Sequence, residues 1–284
     1  MGDALAAGGA TWASDDDPEL VEAALPFALK TMESLLAEAP EHRGLLLAAC
    51  SGFTQYAYAF VETEVLLVEE ENYEEAQRLR ERALRLYLRA RGYCLRSLEL
   101  VSPGVGQGLA REPQLALDAF AADDVPLLYW TGASWGAALS VGRTRPDLLA
   151  DLPAVRALFA RALALDGAWQ GGVIHEALIA LEALPPFMGG SPERARAHFE
   201  EALELSGGRR ANPYVAFAES VAVPAQDRRE FERLLAAALA IDPDAAPAER
   251  LANLIAQRRA RILLERGEDL FLEATPSAAE EETP

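Results

Sequence analysis

The chain has 284 residues, of which 51% are apolar, enough for the core of one large domain or two ordinary ones. Its 45 acidic and 26 basic residues give a formal net charge of -19. Because that charge repels phosphate backbones and anionic lipid surfaces, we expect no nucleic acid among its partners. Neutral, apolar or cationic partners are favoured instead.

The first nine residues, MGDALAAGG, contain neither the basic segment nor the apolar run that a secretory signal needs. We therefore interpret the chain as either a cytosolic protein or the trimmed mature domain of an exported one. Residues 1–14 are predicted to be a flexible segment, 15–272 a single all-helical repeat-like domain, and 273–284 a disordered acidic tail.

Three predicted helix starts combine a small polar residue with a following proline, at Asp17-Pro18, Ser191-Pro192 and Asn212-Pro213. The polar side chain can accept a hydrogen bond from a free backbone amide, and proline is tolerated at the first helical position. Apolar residues then recur with the helical period over 21–36, 73–100, 154–165 and 248–264. No segment alternates convincingly as a strand does, so we predict an all-α fold.

Cys50 and Cys94 are the only cysteines, and each lies in an apolar, helix-patterned stretch. Two cysteines define neither a disulfide framework nor a four-ligand zinc site. Free cysteine behaves as a small apolar residue, so we favour two buried thiols, with a disulfide as the alternative.

Residues 125–142, VPLLYWTGASWGAALSVG, carry no charge and allow three interpretations. A hydrolase nucleophile at Ser134 would need a strand before it, and none is predicted there. A membrane span is disfavoured by Pro126, the glycines and the missing basic flanks. The remaining interpretation is a buried helix, in which Gly132, Gly136 and Ser140 share one side and admit a close neighbour.

Three ten-residue segments align without gaps, at 157–166, 197–206 and 233–242. Their spacing is typical of stacked helical hairpins. Ala162, Ala202 and Ala238 occupy equivalent positions, where a neighbouring helix would approach closely. We therefore predict tetratricopeptide-like helical hairpins packed around a buried central helix.

The sequence contains no recognisable catalytic set. His42, His175 and His198 share no metal-ligand spacing, and no second histidine follows His175-Glu176 at the distance that a zinc-protease helix requires. We accordingly expect a protein that is not an enzyme and that uses no cofactor or metal.

Aromatic and amide side chains gather in four segments, and we predict that they line a ligand-binding cleft. Its apolar walls would be Tyr56, Tyr129, Trp130 and Trp135, its polar contacts Gln55, His175 and Glu176, with Tyr214 as a further aromatic. The alternative is that these are core aromatics whose polar ends are bonded internally. A carboxylate such as Glu176 in an apolar stretch needs a partner, either His175 or an arginine.

Six segments in order resemble the T-component family of tripartite ATP-independent periplasmic (TRAP) transporters, from about Ser14 to Phe271. They are DDDPELVEAALPFALKTMESLL, SGFTQYAYAFVETE, DVPLLYWTGASWGAALS, VIHEALIALE, the run from GGSPERARAHFEEALELS to AAALAIDP, and NLIAQRRARILLER. The resemblance implies a noncatalytic, lipid-anchored periplasmic protein that accompanies the TRAP substrate-binding protein.

The family also implies a homo-oligomer, such as a trimer, and a small hydrophobic or organic-acid ligand. It carries no established binding motif, so the site residues above rest on the aromatic pattern alone. The lipid anchor would belong to the full-length precursor, since this chain lacks the family's leader. The alternative function is a cytosolic helical-repeat adaptor between proteins, without a ligand.

Overall fold

The computed structural model describes residues 9–272, and throughout that range it consists of helices, turns and loops without a strand. The all-α prediction is confirmed. The predictions for the first eight residues and for the tail 273–284 lie outside the described residues. The α-helices are α1 Gly9–Ala13, α2 Pro18–Glu38, α3 Arg43–Tyr56, α4 Thr63–Val68, α5 Tyr73–Val101, α6 Val105–Arg111, α7 Val125–Val141, α8 Pro146–Leu149, α9 Leu152–Leu165, α10 Val173–Glu182, α11 Pro192–Ser206, α12 Asn212–Phe217, α13 Arg228–Leu239, α14 Arg250–Glu265 and α15 Gly267–Leu270.

Two of the three predicted caps are confirmed. The Asp17 carboxylate accepts a hydrogen bond from the Leu20 amide at 2.9 Å, and the Ser191 hydroxyl accepts one from the Arg194 amide at 3.2 Å. The cap at Asn212 is wrong, because the helix already includes this residue and its side chain bonds to other helices. Because Asn212 does not cap its helix, its side chain is available for bonds to other helices.

Helix α7 is the central helix, and it packs against α3, α5 and α9. A Cβ atom added to Gly132 would lie 3.1 Å from the ring of Phe159, which confirms the close approach on this side. Ser140, predicted on the same side, is exposed. Ser134 is buried in the helix and donates its hydroxyl to the carbonyl of Thr131 at 3.0 Å, so it does not stand at a strand-to-helix turn.

Cys50 of α3 and Cys94 of α5 form a disulfide, so the favoured prediction of two buried thiols is wrong. Both residues are fully buried where α3 and α5 lie side by side. The carbonyl oxygen of Trp130 on α7 is 3.7 Å from Cys50 Sγ, so the bond joins two helices beneath the central one. Burial alone does not separate a thiol from a disulfide, since both are apolar.

The apolar core has two parts that meet at α10. The larger part extends from α2 to α10, and the smaller from α10 to the end of the described chain. Ala162, Ala202 and Ala238 of the aligned segments are all fully buried, as predicted for positions of close helix approach. The tetratricopeptide-like arrangement of the hairpins stays a prediction.

Helices α3 and α4 are continuous through a π-helical segment, Ala57–Glu62. By length and composition alone, the whole stretch Arg43–Val68 is the one candidate for a membrane span among the described residues. In its most apolar window 61% is buried inside the protein, and a core helix passes the same test.

Candidate functional site

Charged and polar side chains meet at the junction of the two core parts, in what we call the interior polar cluster. They are contributed by α5, α10, α12, α14, the loop before α12 and two π-helical segments, Ala57–Glu62 and Ala218–Ala222. The members are Tyr58, Glu62, Tyr87, Glu176, Arg210, Asn212, Glu219 and Arg259. Single-turn π segments occur frequently at functional sites, which makes this junction the candidate site.

Arg259 is the most deeply placed cation of the interior polar cluster, with 8% of its surface exposed. Its Nε and Nη2 atoms donate to the two carboxylate oxygens of Glu219 at 2.8 and 2.7 Å. The guanidinium lies 5.2 Å from the ring centre of Tyr58. Its Nη1 atom is buried and has no hydrogen-bond partner in the described chain. One side of a buried cation therefore lacks an acceptor.

Asn212 connects the first π segment to α10. The Tyr58 hydroxyl donates to Asn212 Oδ1 at 3.0 Å, and Asn212 Nδ2 donates to Glu176 Oε2 at 3.0 Å. Glu176, only 6% exposed, also forms an ion pair with Arg210, which bonds Glu249 at 2.8 Å. Arginine is thus the partner of Glu176 that the sequence required.

Glu62 and Tyr87 form the remaining pair, in which the phenol hydroxyl of Tyr87 donates to the carboxylate. Burial raises the pKa of Glu62, and nearby Glu219 adds to the rise, whereas Arg259 and the Tyr87 hydroxyl oppose it. Burial likewise raises the pKa of Tyr58 to about 12 and that of Tyr87 well above its usual value. These phenols remain protonated at physiological pH and act as hydrogen-bond donors.

Replacing Glu62 with glutamine should raise the free energy of unfolding at pH 7.5, and this gain should vanish as the pH falls to about 4. A carboxyl whose pKa is raised by folding stabilises the protein fully below its unfolded pKa of about 4.3, and that contribution is lost as the pH rises through the folded pKa. Urea unfolding at both pH values measures the difference. Glu81→Gln is the control, because the Glu81 side chain is 73% exposed. An equal gain at both pH values would contradict the assignment.

An aromatic wall, formed by Tyr129, Trp130, Phe159 and Trp169, lies beside the interior polar cluster. The ring of Tyr129 is 4.9 Å from that of Trp130, 5.1 Å from Trp169 and 6.1 Å from Phe159. Burial raises the pKa of Tyr129, and Glu176 raises it further, which places this phenol within electrostatic reach of the polar cluster. Tyr129, Trp130 and Trp169 are each partly exposed.

Two residues that were predicted as walls of the cleft, Trp135 and Tyr56, form hydrogen bonds away from the aromatic wall. Trp135, 7% exposed, donates its indole N–H to Asp151 at 3.1 Å and lies under the guanidinium of Arg91. Tyr56, 8% exposed, accepts a hydrogen bond from Arg82 at 3.0 Å. The bonding of these two residues is that of core aromatics, which was the alternative interpretation.

The other predicted residues also lie apart from the aromatic wall. Gln55 is exposed and donates to the carbonyl of Ser51 on its own helix. Tyr214 packs edge-to-face on Phe199, with ring centres 5.6 Å apart. His175 faces His198 instead of Glu176, and burial lowers the pKa of both imidazoles. Tyr129, Trp130 and Glu176 are therefore the predicted residues that the structure brings to the candidate site, and ligand contact by all eight stays a prediction.

Sequence reasoning missed most of the interior polar cluster. Arg259 and Glu219 occur in ordinary amphipathic helix patterns, and only the structure shows that they face inward. Two residues of the site could have been found from the sequence. Asn212 precedes a proline, which marks a polar side chain near a helix start, and Trp169 is a single tryptophan among the glycines of GAWQGG.

Two surface hollows, of about 220 and 370 Å³, lie away from this site. The first is lined by Arg43, Leu47, Asp123 and Asp124 among others, and the second by Arg196, Glu200 and Phe217 among others. Neither is lined by a residue of the predicted cleft or of the interior polar cluster.

Comparison with known proteins places α2 to α15 in one family. Residues 14–271 match the TRAP transporter T-component family. The chain belongs to this family. It is also 33% identical over 267 residues to an uncharacterized protein of Treponema pallidum (strain Nichols), covering 91% of this chain and 82% of that protein. The resemblance read from the sequence is confirmed, and this T-component has an accessory role in transport.

Proposed function

We propose that this T-component is a noncatalytic periplasmic accessory protein that binds the substrate-binding protein of its TRAP system and holds a small organic acid with an apolar body. The ligand in this proposal rests on one observation, which is that Arg259 Nη1 in the interior polar cluster has no hydrogen-bond partner. The partly exposed rings of the aromatic wall lie beside that cluster. A buried donor without an acceptor costs about 1–3 kcal/mol, which a ligand carboxylate would offset.

Tyr58 connects the two halves of the proposed site. Its ring centre lies 5.2 Å from the guanidinium of Arg259. Its phenol also lies close enough to Tyr129 to act on the pKa of that residue. The carboxylate would bind Arg259 Nη1, and the apolar body would lie on Tyr129 and Trp130. Sites of this kind combine an apolar lining with a few placed polar groups.

The disulfide supports the periplasmic location. Disulfides persist in oxidising compartments, including the bacterial periplasm, and are rare in the cytosol. A bond buried between α3 and α5 is therefore easier to reconcile with an exported protein than with a cytosolic adaptor. Partner binding and homo-oligomerisation follow the family. Co-elution with a purified TRAP substrate-binding protein tests the first of them.

Calorimetric titration of the tag-free protein with octanoate and with octanamide tests the ligand. Octanoate should bind roughly tenfold more tightly, since a charge-assisted hydrogen bond contributes about 1.5–3 kcal/mol. Tyr129→Ala should weaken both ligands by removing apolar contact, and Arg259→Lys should weaken octanoate only.

Trp135→Phe is the matched control, because Trp135 is buried against Asp151 and lies outside the proposed site. It should leave binding unchanged. Equal affinity for acid and amide, or wild-type binding by Tyr129→Ala, would overturn the ligand proposal while leaving partner binding to its own test.

A further inference from the structure

Two of the chain's three histidines meet across the helix pair α10 and α11. His175 lies in the first turn of α10 and His198 near the middle of α11, and their Nδ1 atoms are 3.0 Å apart. The rings stand edge-to-face with centres 5.0 Å apart, and both are half-buried. This pair belongs neither to the interior polar cluster nor to the aromatic wall.

A neutral imidazole has one N–H group and one nitrogen lone pair. Two Nδ1 atoms at this distance allow two arrangements. Either one ring donates its Nδ1–H to the lone pair of the other, or both rings direct a lone pair at one cation. Burial lowers the pKa of both rings, which keeps them in the neutral form that binds metal ions. The two neutral imidazoles are therefore potential ligands of one metal ion.

The distance between the two nitrogens fits an ion whose neighbouring ligands lie at right angles better than it fits a tetrahedral ion. Nitrogens 3.0 Å apart, each about 2.0–2.1 Å from a shared ion, subtend an angle of about 94° at that ion. A tetrahedral ion would need a separation of about 3.4 Å at the same bond lengths. An angle near 90° matches the square-planar or tetragonal geometry of Cu²⁺ and Ni²⁺.

The surroundings offer a third ligand and little repulsion. Glu201 lies three residues after His198, on the same face of α11, and its charge acts on both imidazoles. Glu201 is exposed, and its side chain forms no hydrogen bond or ion pair with residues 9–272, so it can turn toward the pair. The nearby cation Arg194 is neutralised by Glu182, whose carboxylate it contacts at 2.6 Å.

We propose that His175 Nδ1 and His198 Nδ1 bind one Cu²⁺ or Ni²⁺ ion, with Glu201 and water completing the coordination. Within the described residues no group of three metal-ligating side chains is already assembled, so the site has two ligands in place and recruits the third. An ion there would link α10, the helix that carries Glu176, to α11. The proposal stands independently of the ligand in the interior polar cluster.

The test uses tag-free protein that has been dialysed against a chelator and then titrated with CuSO₄ or NiCl₂. Calorimetry should show one ion per chain, and electron paramagnetic resonance of the copper form should show coupling to nitrogen ligands. His175→Gln and His198→Gln should each weaken binding at least tenfold while circular dichroism stays unchanged. Glu201→Gln should weaken it less.

His42→Asn is the matched control, since it removes the third histidine but retains a side chain that can accept the Leu45 amide bond at the start of α3. It should bind metal as the wild type does. A pair that only shares a proton would give no stoichiometric binding, and a site elsewhere would survive in both glutamine variants. Either result would overturn the proposal.

Discussion

Replacing both Cys50 and Cys94 with alanine should lower the free energy of unfolding by about 4 kcal/mol. The disulfide closes a loop of 44 residues, and restricting a loop of that length in the unfolded chain stabilises the folded state by about that amount. For a protein of this size the loss corresponds to a fall of about 7 °C in Tm. Differential scanning calorimetry of the oxidised wild type and the variant measures the difference.

Dithiothreitol separates the loss of the covalent bond from the loss of two sulfur atoms in the core. Both cysteines are fully buried, so the reductant acts when the chain unfolds. Unfolding in its presence should destabilise the wild type and leave the alanine variant unchanged. A wild type that is insensitive to the reductant and as stable as the variant would show that the bond does not contribute.

Local patterns predicted the helices because their causes are local. The cap at Asp17 and the proline after it act within one turn, and the apolar period over 73–100 needs only the sequence of that stretch. The pairing of Cys50 with Cys94 depends on how α3 lies against α5, and no pattern within either helix specifies that. The same limit applies to His175 and His198, which meet only because α10 and α11 form a pair.

The candidate site was predicted in part for the same reason. Sequence composition identified Tyr129 and Trp130 as aromatics on a buried helix, and Glu176 as a carboxylate in need of a partner. It did not reveal that Trp135, on the same helix, points to Asp151. Nor did it distinguish Arg259, a buried cation, from Arg261, which is exposed on the same helix. The sequence pattern of a helix does not by itself show which of its arginines faces inward.

Arg259→Met should lower the free energy of unfolding by about 3 kcal/mol, because it leaves the Glu219 carboxylate without its partner in the interior. The Glu219 side chain is 23% exposed, so some hydration remains and the loss should fall at the low end of that seen for buried pairs. Urea denaturation followed by circular dichroism gives the value. The matched control is Arg233→Met, which removes the same two-bond contact with Glu230 from a site where the arginine side chain is 58% exposed, and it should cost less than about 1 kcal/mol.

The double variant Arg259→Met with Glu219→Leu decides whether the pair stabilises the fold or is retained for another purpose. Removing both charges leaves no unpaired group, and apolar replacements of buried ion pairs are often neutral or stabilising. We therefore expect the double variant to be more stable than Arg259→Met alone and to lose octanoate binding. A pair that can be exchanged for apolar side chains without loss of stability, but not without loss of binding, is part of a recognition site. If the double variant is as unstable as the single one, Arg259 has a structural role that extends beyond Glu219.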